Sequence, residues 1–187
     1  MASLPLLRAE DTALLVIDMQ ERLAAAMPAG AWTTARESTM RLARAASLLD
    51  LPVIVTRQYP DGLGDTDSGV AEALPDHAVT LDKTAFSASG DDRIAQALAM
   101  TARRQILVCG METHVCVLQS VAGLLDGGYF PFVAADAVCS RDEDHRTGAL
   151  QRMRTAGAVV TNRESALFEF LRDASHPRFR DVSRLIK

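Results

Sequence analysis

Large aromatic side chains are scarce in this sequence, which has one Trp, two Tyr and six Phe among 187 residues. Aliphatic residues must therefore fill the core, and a composition that is 48% hydrophobic and 24% charged supplies them. Cysteine is sparse and odd in number. Cys109, Cys116 and Cys139 form no C-x-x-C pair, which argues against a disulfide framework and against a thioredoxin-type motif. There is no basic excess, since Lys and Arg total 20 against 24 Asp and Glu for a net charge of −4, and the basic residues are scattered. Nucleic acid and anionic membrane are poor partners for such a chain. No apolar run approaches the roughly 18 residues of a membrane span, and the opening MASLPLLRAED lacks a basic stretch followed by an apolar one. A cytoplasmic protein is expected, in a reducing compartment that suits free thiols. Low-complexity tracts, charge blocks and internal repeats are also missing, and the GLG at 62–64 lacks the G-x-G-x-x-G spacing of a dinucleotide fingerprint.

What is present reads as one domain, residues 1–187, long enough for a single substantial core. Ala13 to Ile17 is an unbroken apolar run, as in a central parallel strand buried on both faces, and Asp18 follows it directly. From Trp32 to Asp50 the residues Ala35, Leu42, Ala43, Ala46 and Leu49 keep helical spacing, and Leu51-Pro52 ends that helix before a strand at Val53 to Thr56. RQYPDGLGDTDSG, rich in turn residues, is expected to be a loop. His77 to Leu81 reads as a short strand with Lys83 just beyond its end, and Ser89 or Asp91 can cap a helix running to Ala102. Phe130 to Ala135 is another strand, and Ser140-Arg-Asp-Glu143 has capping-box spacing ahead of a helix that Gly157 stops. Ala158 to Thr161 is the last strand, followed by helices about Ser165 to Leu171 and from Pro177 to Ile186. Strands alternating with helices imply an α/β fold, a three-layer α/β/α sandwich around a mostly parallel sheet.

The chain is organised around Gln105 to Val117, QILVCGMETHVCV, which reads as strand, turn and helix with Gly110 as the break. Cys116 then falls in the first helical turn, where unpaired N–H groups and the macrodipole favour an anion, so its thiol is expected to ionise more readily than a free one. Ligands of parallel α/β sheets sit outside the carboxyl ends of the strands, and Asp18, Lys83 and the Gly110–Cys116 turn all follow such ends. A thiol, a carboxylate and an ammonium at one mouth form a set for acyl transfer. Cys116 would attack a carbonyl carbon, Asp18 would take the thiol proton and pass it to the leaving group, and Lys83 would hold and polarise the pair. Turn N–H groups near Glu112 and Cys116 would hold the oxyanion. The bland alternative is that Asp18 caps a turn, Lys83 is a solvated charge and Cys116 simply packs.

His114 precedes Cys116 by two residues, so the two side chains point apart and His114 belongs at most to the pocket rim. Gln20, Trp32, Tyr59 and Phe86 are further pocket candidates, whereas Cys109 reads as core and Cys139 as a loop residue. Two other functions stay open at this point. One is a thiol-based redox or sensor protein that uses Cys116 reversibly, and the other is a scaffold-like oligomer without a substrate.

LLVIDMQ with Asp18, DKTAFSA with Lys83 and CGMETHVCV with Cys116 stand in an order and separation that resembles the isochorismatase-like cysteine hydrolases, over nearly the whole chain. RQYPDGLG and the tail SHPRFRDVSRLIK further resemble the isochorismatase-domain-containing hydrolases, whose members often lack an assigned substrate. The resemblance implies the same Rossmann-related sandwich, a catalytic triad on Asp18, Lys83 and Cys116, and a non-proline cis peptide at Met111–Glu112 that aims the N–H groups of Glu112 and Cys116 at the oxyanion. It implies hydrolysis of a small amide, ureide or related C–N bond through a thioester, with isochorismatase-type vinyl ether cleavage as the alternative. A homo-oligomer, dimer or higher even assembly, is implied as well, and the apolar, arginine-bearing final helices that need a cover agree with it. Nicotinamidases, the metal-binding relatives, carry an Asp-x-His pair where this sequence reads Thr56-Arg57-Gln58-Tyr59. The four histidines, His77, His114, His145 and His176, show no H-x-x-x-H spacing, so no metal and no other cofactor is expected and nicotinamide should be a poor substrate.

Overall fold

The run TALLVI makes β1 (Thr12–Ile17), buried at every position. Its side chains alternate between two cores, with Leu14 and Val16 on one side and Ala13, Leu15 and Ile17 on the other. The computed structural model describes residues 4–186 and sets this strand inside a six-stranded parallel sheet of order β3-β2-β1-β4-β5-β6. The other strands are β2 (Val53–Gln58), β3 (Val79–Lys83), β4 (Gln105–Met111), β5 (Phe130–Cys139) and β6 (Val159–Thr161). The long α2 (Ala29–Leu48) packs on one face with α8 (Arg163–Leu171) and α9 (Phe179–Arg184). The opposite face is covered by α5 (Asp92–Met100), α6 (Leu118–Asp126) and α7 (Glu143–Thr155). This is the three-layer α/β sandwich that the alternation of elements implies. Strand order reverses between β1 and β4, the place outside whose strand ends parallel α/β sheets bind ligands, and Asp18 and the turn before α6 emerge there.

Several local readings change. The expected loop after Thr56 begins as two further residues of β2 and then forms two short helices, α3 (Pro60–Leu63) and α4 (Ser68–Ala73), with α1 (Glu21–Ala24) nearby. Pro60 at a first helical position and Asp67, whose carboxylate accepts the Val70 N–H at 3.0 Å, start helices with the same residues that make turns. Lys83 is the last residue of β3 rather than a residue beyond it. Cys139 ends β5 and is buried, since that strand runs four residues further than its apolar start indicates. Asp91 caps α5 as one of the two expected candidates, but α7 is capped by Asp142, not Ser140, through the N–H groups of Asp144 and His145. The final helix is shorter than Pro177 to Ile186, covering Phe179–Arg184.

Gly110 does not break β4. It continues the strand with φ of +120°, a conformation that L side chains rarely adopt, and a Cβ there would lie 2.0 Å from the Ile17 carbonyl oxygen. Backbone therefore lies against backbone where β1 and β4 part. Gly110→Ala is expected to lose about 2–6 kcal/mol of stability, the sum of backbone strain and an overpacked contact that no side chain can relieve. A urea midpoint equal to that of the parent protein would refute the contact.

Candidate active site

Asp18 leaves β1 with φ of +51°, which Asp tolerates better than most residues, and its N–H donates to the Thr56 carbonyl at 3.1 Å. The carboxylate is fully buried beside Lys83, whose Nζ donates to Asp18 Oδ2 at 2.6 Å, and neither side chain has any exposure. Thr56 Oγ1 donates to the other oxygen at 2.7 Å. Lys83 Nζ also donates to Gln58 Oε1 at 2.6 Å and to the carbonyls of Phe86 and Ala85 at 3.2 and 3.3 Å. Four acceptors thus surround three ammonium protons, and the charge is held by a full shell. Thr56 and Gln58 were not singled out by sequence reasoning. The signal was there, because residues two apart on a strand share a face, but it needs β2 to run as far as Gln58.

Cys116 lies in a π-helical turn, Thr113–Val117, that leads into α6, and only 5% of it is exposed. The charges of both Asp18 and Lys83 are felt by its thiol, the first raising its pKa and the second lowering it. The structure thus brings together the three residues that the strand ends indicated. The expected low thiol pKa is overturned. Burial pushes the Cys116 thiol up to about 12, the Asp18 charge adds to the rise, and Lys83 offsets only part of it. Local helix geometry favoured the thiolate, but removal of water from it weighs more.

Cys109 and Cys139, fully buried in β4 and β5, are likewise pushed up to about 12, first of all by burial. Unfolded thiols titrate near 8.5–9, so above that pH the folded state binds more protons than the unfolded one. The contribution of each thiol is fully present below about pH 9 and is lost as pH rises toward 12. Urea titrations from about pH 8 to 10.5 should show stability falling with a slope of up to about 1.4 kcal/mol per pH unit for each thiol. Cys109→Ala should reduce the slope, and a flat profile would contradict the shifts.

The Met111–Glu112 peptide is cis, as the family resemblance implied. The Glu112 carbonyl accepts the N–H groups of Val115 and Val117 at 3.1 and 3.2 Å, while its buried carboxylate is gripped by Arg141 through the guanidinium and the backbone N–H. Burial pushes the Glu112 carboxyl up, but the hydrogen bonds and charge of Arg141 outweigh it and hold the group below its ordinary value. Arg141 is 29 residues away in sequence, and no local spacing announces it.

The remaining candidates separate. Gln20 is buried and its amide is used up on backbone, donating to the carbonyls of Gln58 and Gly64 and accepting the Gln58 N–H, which makes it a brace behind the ion pair. Trp32 is half-buried against the α2 core, on the other face of the sheet from the Cys116 core. Tyr59 and Phe86 are exposed by 55% and 54%, and both are tied to Lys83: the Tyr59 N–H donates to its carbonyl and the Phe86 carbonyl accepts from its ammonium. His114 Nδ1 is 3.0 Å from Ser140 Oγ and its ring centroid is 4.9 Å from that of His145, at the start of α7. Among the described residues no group of three His, Cys, Asp or Glu could hold a metal ion, and no helix is long and apolar enough to cross a membrane.

Comparison with known proteins adds three likenesses and a family. Residues 12–165 match the Isochorismatase domain. The chain is 42% identical to the secreted isochorismatase effector Isc1 of Phytophthora sojae over 158 residues, 82% of this chain and 75% of that one. It is 40% identical to isochorismatase domain-containing protein 2 of Xenopus laevis over 78% of this chain and 70% of that one. Among solved structures, the MAR1 ribonuclease of Caenorhabditis elegans superposes with a TM-score of 0.92 at 34% identity, covering 97% of this chain and 92% of that one.

Proposed function

This chain belongs to the isochorismatase family, and from that premise we propose that it is a cysteine hydrolase of a small amide, ureide or related C–N bond. The observation that carries the reading is the Asp18–Lys83 ion pair, 2.6 Å long and fully buried, whose two charges both bear on the Cys116 thiol. In the resting site the thiol is protonated. As Sγ forms its bond to the carbonyl carbon, the thiol proton passes to Asp18, and Lys83 keeps the emerging negative charge balanced. The N–H groups of Glu112 and Cys116 receive the oxyanion. Collapse of the tetrahedral adduct breaks the C–N bond, with the proton on Asp18 going to the leaving nitrogen. Water then attacks the thioester, gives a proton to Asp18, and the acid departs as the thiol re-forms.

The name of the nematode protein raises a second reaction, cleavage of RNA. That reading is weaker here, because the reacting groups are at most 5% exposed and the chain carries a net charge of −4, both unfavourable to a polyanion. A redox role is weaker too, since all three cysteines are free and buried and none stands out as an exposed resolving thiol. Free thiols suit a reducing compartment, and we place the protein in the cytoplasm. The deciding experiment is a screen of small amides and ureides read by ammonia release, with mass spectrometry of trapped adducts. Turnover with an acyl mass on Cys116 supports the proposal, whereas RNA cleavage without either would replace it.

A homo-oligomer of even number is part of the same reading. Leu4, Met100, Phe130 and Phe168 leave apolar surface exposed for partners to cover. Sedimentation at micromolar concentration is expected to give a multiple of 20.2 kDa, and a stable monomer would reject it.

A further inference from the structure

Glu112 opens the turn that carries Cys116, and its backbone groups are used unequally. Its carbonyl accepts the N–H groups of Val115 and Val117 at 3.1 and 3.2 Å, which winds the turn. Its own N–H has no acceptor among the described residues, although the residue is only 4% exposed. A buried N–H without a partner in the fold is rare. In the proposed reaction this donor receives the oxyanion, and a donor in that role is effective only when it points at the place where the charge develops.

The side chain of the same residue is the handle by which that direction is fixed. β4 and β5 lie side by side to their ends, where Met111 pairs with Cys139, so the turn after β4 runs beside the segment Ser140–Asp142 after β5. Arg141 reaches across. Its Nε and Nη2 donate to both oxygens of the Glu112 carboxylate, and its backbone N–H donates to Oε2 at 3.1 Å. Donors from both the guanidinium and the main chain fix the carboxylate in direction as well as in place, which a single ammonium could not do. His114 Nδ1, 3.0 Å from Ser140 Oγ, ties the same two segments a second time. A carboxylate at 5% exposure answered by an arginine at 59% is a poor source of stability, since water is withdrawn from one partner and screens the other. What the pair gives the turn is direction.

We infer that Arg141 is a positioning residue, which acts through the Glu112 carboxylate to set the direction of the Glu112 N–H and so how well the turn receives an oxyanion at Cys116. The inference rests on the reading of Cys116 as nucleophile, and the test separates the two. Two uncharged reagents divide the effects. With p-nitrophenyl acetate, Sγ bonds to the carbonyl carbon through an oxyanion, the ester C–O bond breaks, p-nitrophenolate leaves, and the thiol proton passes to Asp18 and on to solvent. With iodoacetamide, Sγ bonds to the methylene carbon, the C–I bond breaks, iodide leaves and the proton takes the same path, but no oxyanion forms. Arg141 Nη1 has no partner among the described residues and could receive an anion. Neither reagent is one, so a loss on removing Arg141 cannot come from an ion pair to the reagent.

Second-order rates with each reagent are measured at one pH on the native protein, Arg141→Gln, Glu112→Gln and the double variant. Intact mass and peptide mapping assign modification to Cys116, with Cys116→Ala as the blank. The readout is the ratio of acylation to alkylation, because a change in the ionisation of the thiol enters both rates. That ratio should fall by at least about fivefold in each single variant, and by about 100-fold if the donor is turned fully away. The double variant should show the same fall and not the product of the two, since Arg141 acts only through Glu112. The double variant also removes the carboxylate that Arg141→Gln leaves unpaired, which tells geometry from damage. A double variant with the native ratio would place the fault in the unpaired charge and overturn the inference, as would a fall below about fivefold in Arg141→Gln or multiplicative losses in the double. Absence of modification at Cys116 by both reagents in the native protein overturns the nucleophile reading itself, and the inference with it.

Discussion

Cys116→Ala is expected to abolish turnover of any amide that the native protein accepts, by about four to six orders of magnitude in kcat. The proposed chemistry passes through a bond to Sγ, and neither of the other thiols can substitute. Cys109 and Cys139 are fully buried within β4 and β5, Cys139 with its sulfur 3.9 Å from the Met111 sulfur. Cys109→Ala and Cys139→Ala should keep most of the activity. The variant should also fold, because deleting one small buried group creates little cavity, and its alkaline loss of stability should be shallower by one thiol. The measurement is initial rate with a confirmed substrate, paired with urea denaturation at two pH values. Substantial turnover by Cys116→Ala would end the thioester mechanism.

The second large effect concerns the ion pair. Asp18→Asn removes the group proposed to accept the thiol proton, and Lys83→Met removes the charge that balances it in the proposed reaction. Each should lose nearly as much rate as the double variant, since members of one catalytic unit are not additive. Stability should behave in the opposite way. Either single change leaves one charge unpaired where both side chains have no exposure, which costs about 3–5 kcal/mol, whereas the double change leaves none. The double variant is therefore expected to be more stable than either single one and equally inactive. Multiplicative rate losses, or a double variant less stable than both singles, would contradict this account.

The parts of the molecule legible in the sequence are those fixed by short-range pattern. The apolar run Ala13 to Ile17 announced a strand buried on both faces, and it placed Asp18 at the strand end where it is found. Cys116 was legible from the change of period after Gly110. What escaped depends on contacts across the fold. Arg141 reaches Glu112 from 29 residues away, and the thiol environment is decided by burial, which the helical position of Cys116 does not encode. Gln20 was a pocket candidate, yet its amide is spent on Gln58 and Gly64. The π-helical form of the turn that holds Cys116 also lay beyond periodicity, since five residues cannot distinguish one helical pitch from another.

The contact between Gly110 and Ile17 has a consequence for how such a protein can diverge. Ile17 is the residue before Asp18, and Gly110 begins the path to Cys116, so main chain rather than side chains sets the spacing between Asp18 and Cys116. A spacing set in that way is insensitive to repacking of either core. The segment from Pro60 to Gly69, beyond the residues that hold Lys83, can change its residues and its helices without altering that interval. Descendants of one ancestor could then come to admit different molecules at the mouth while inheriting the same chemistry beneath it.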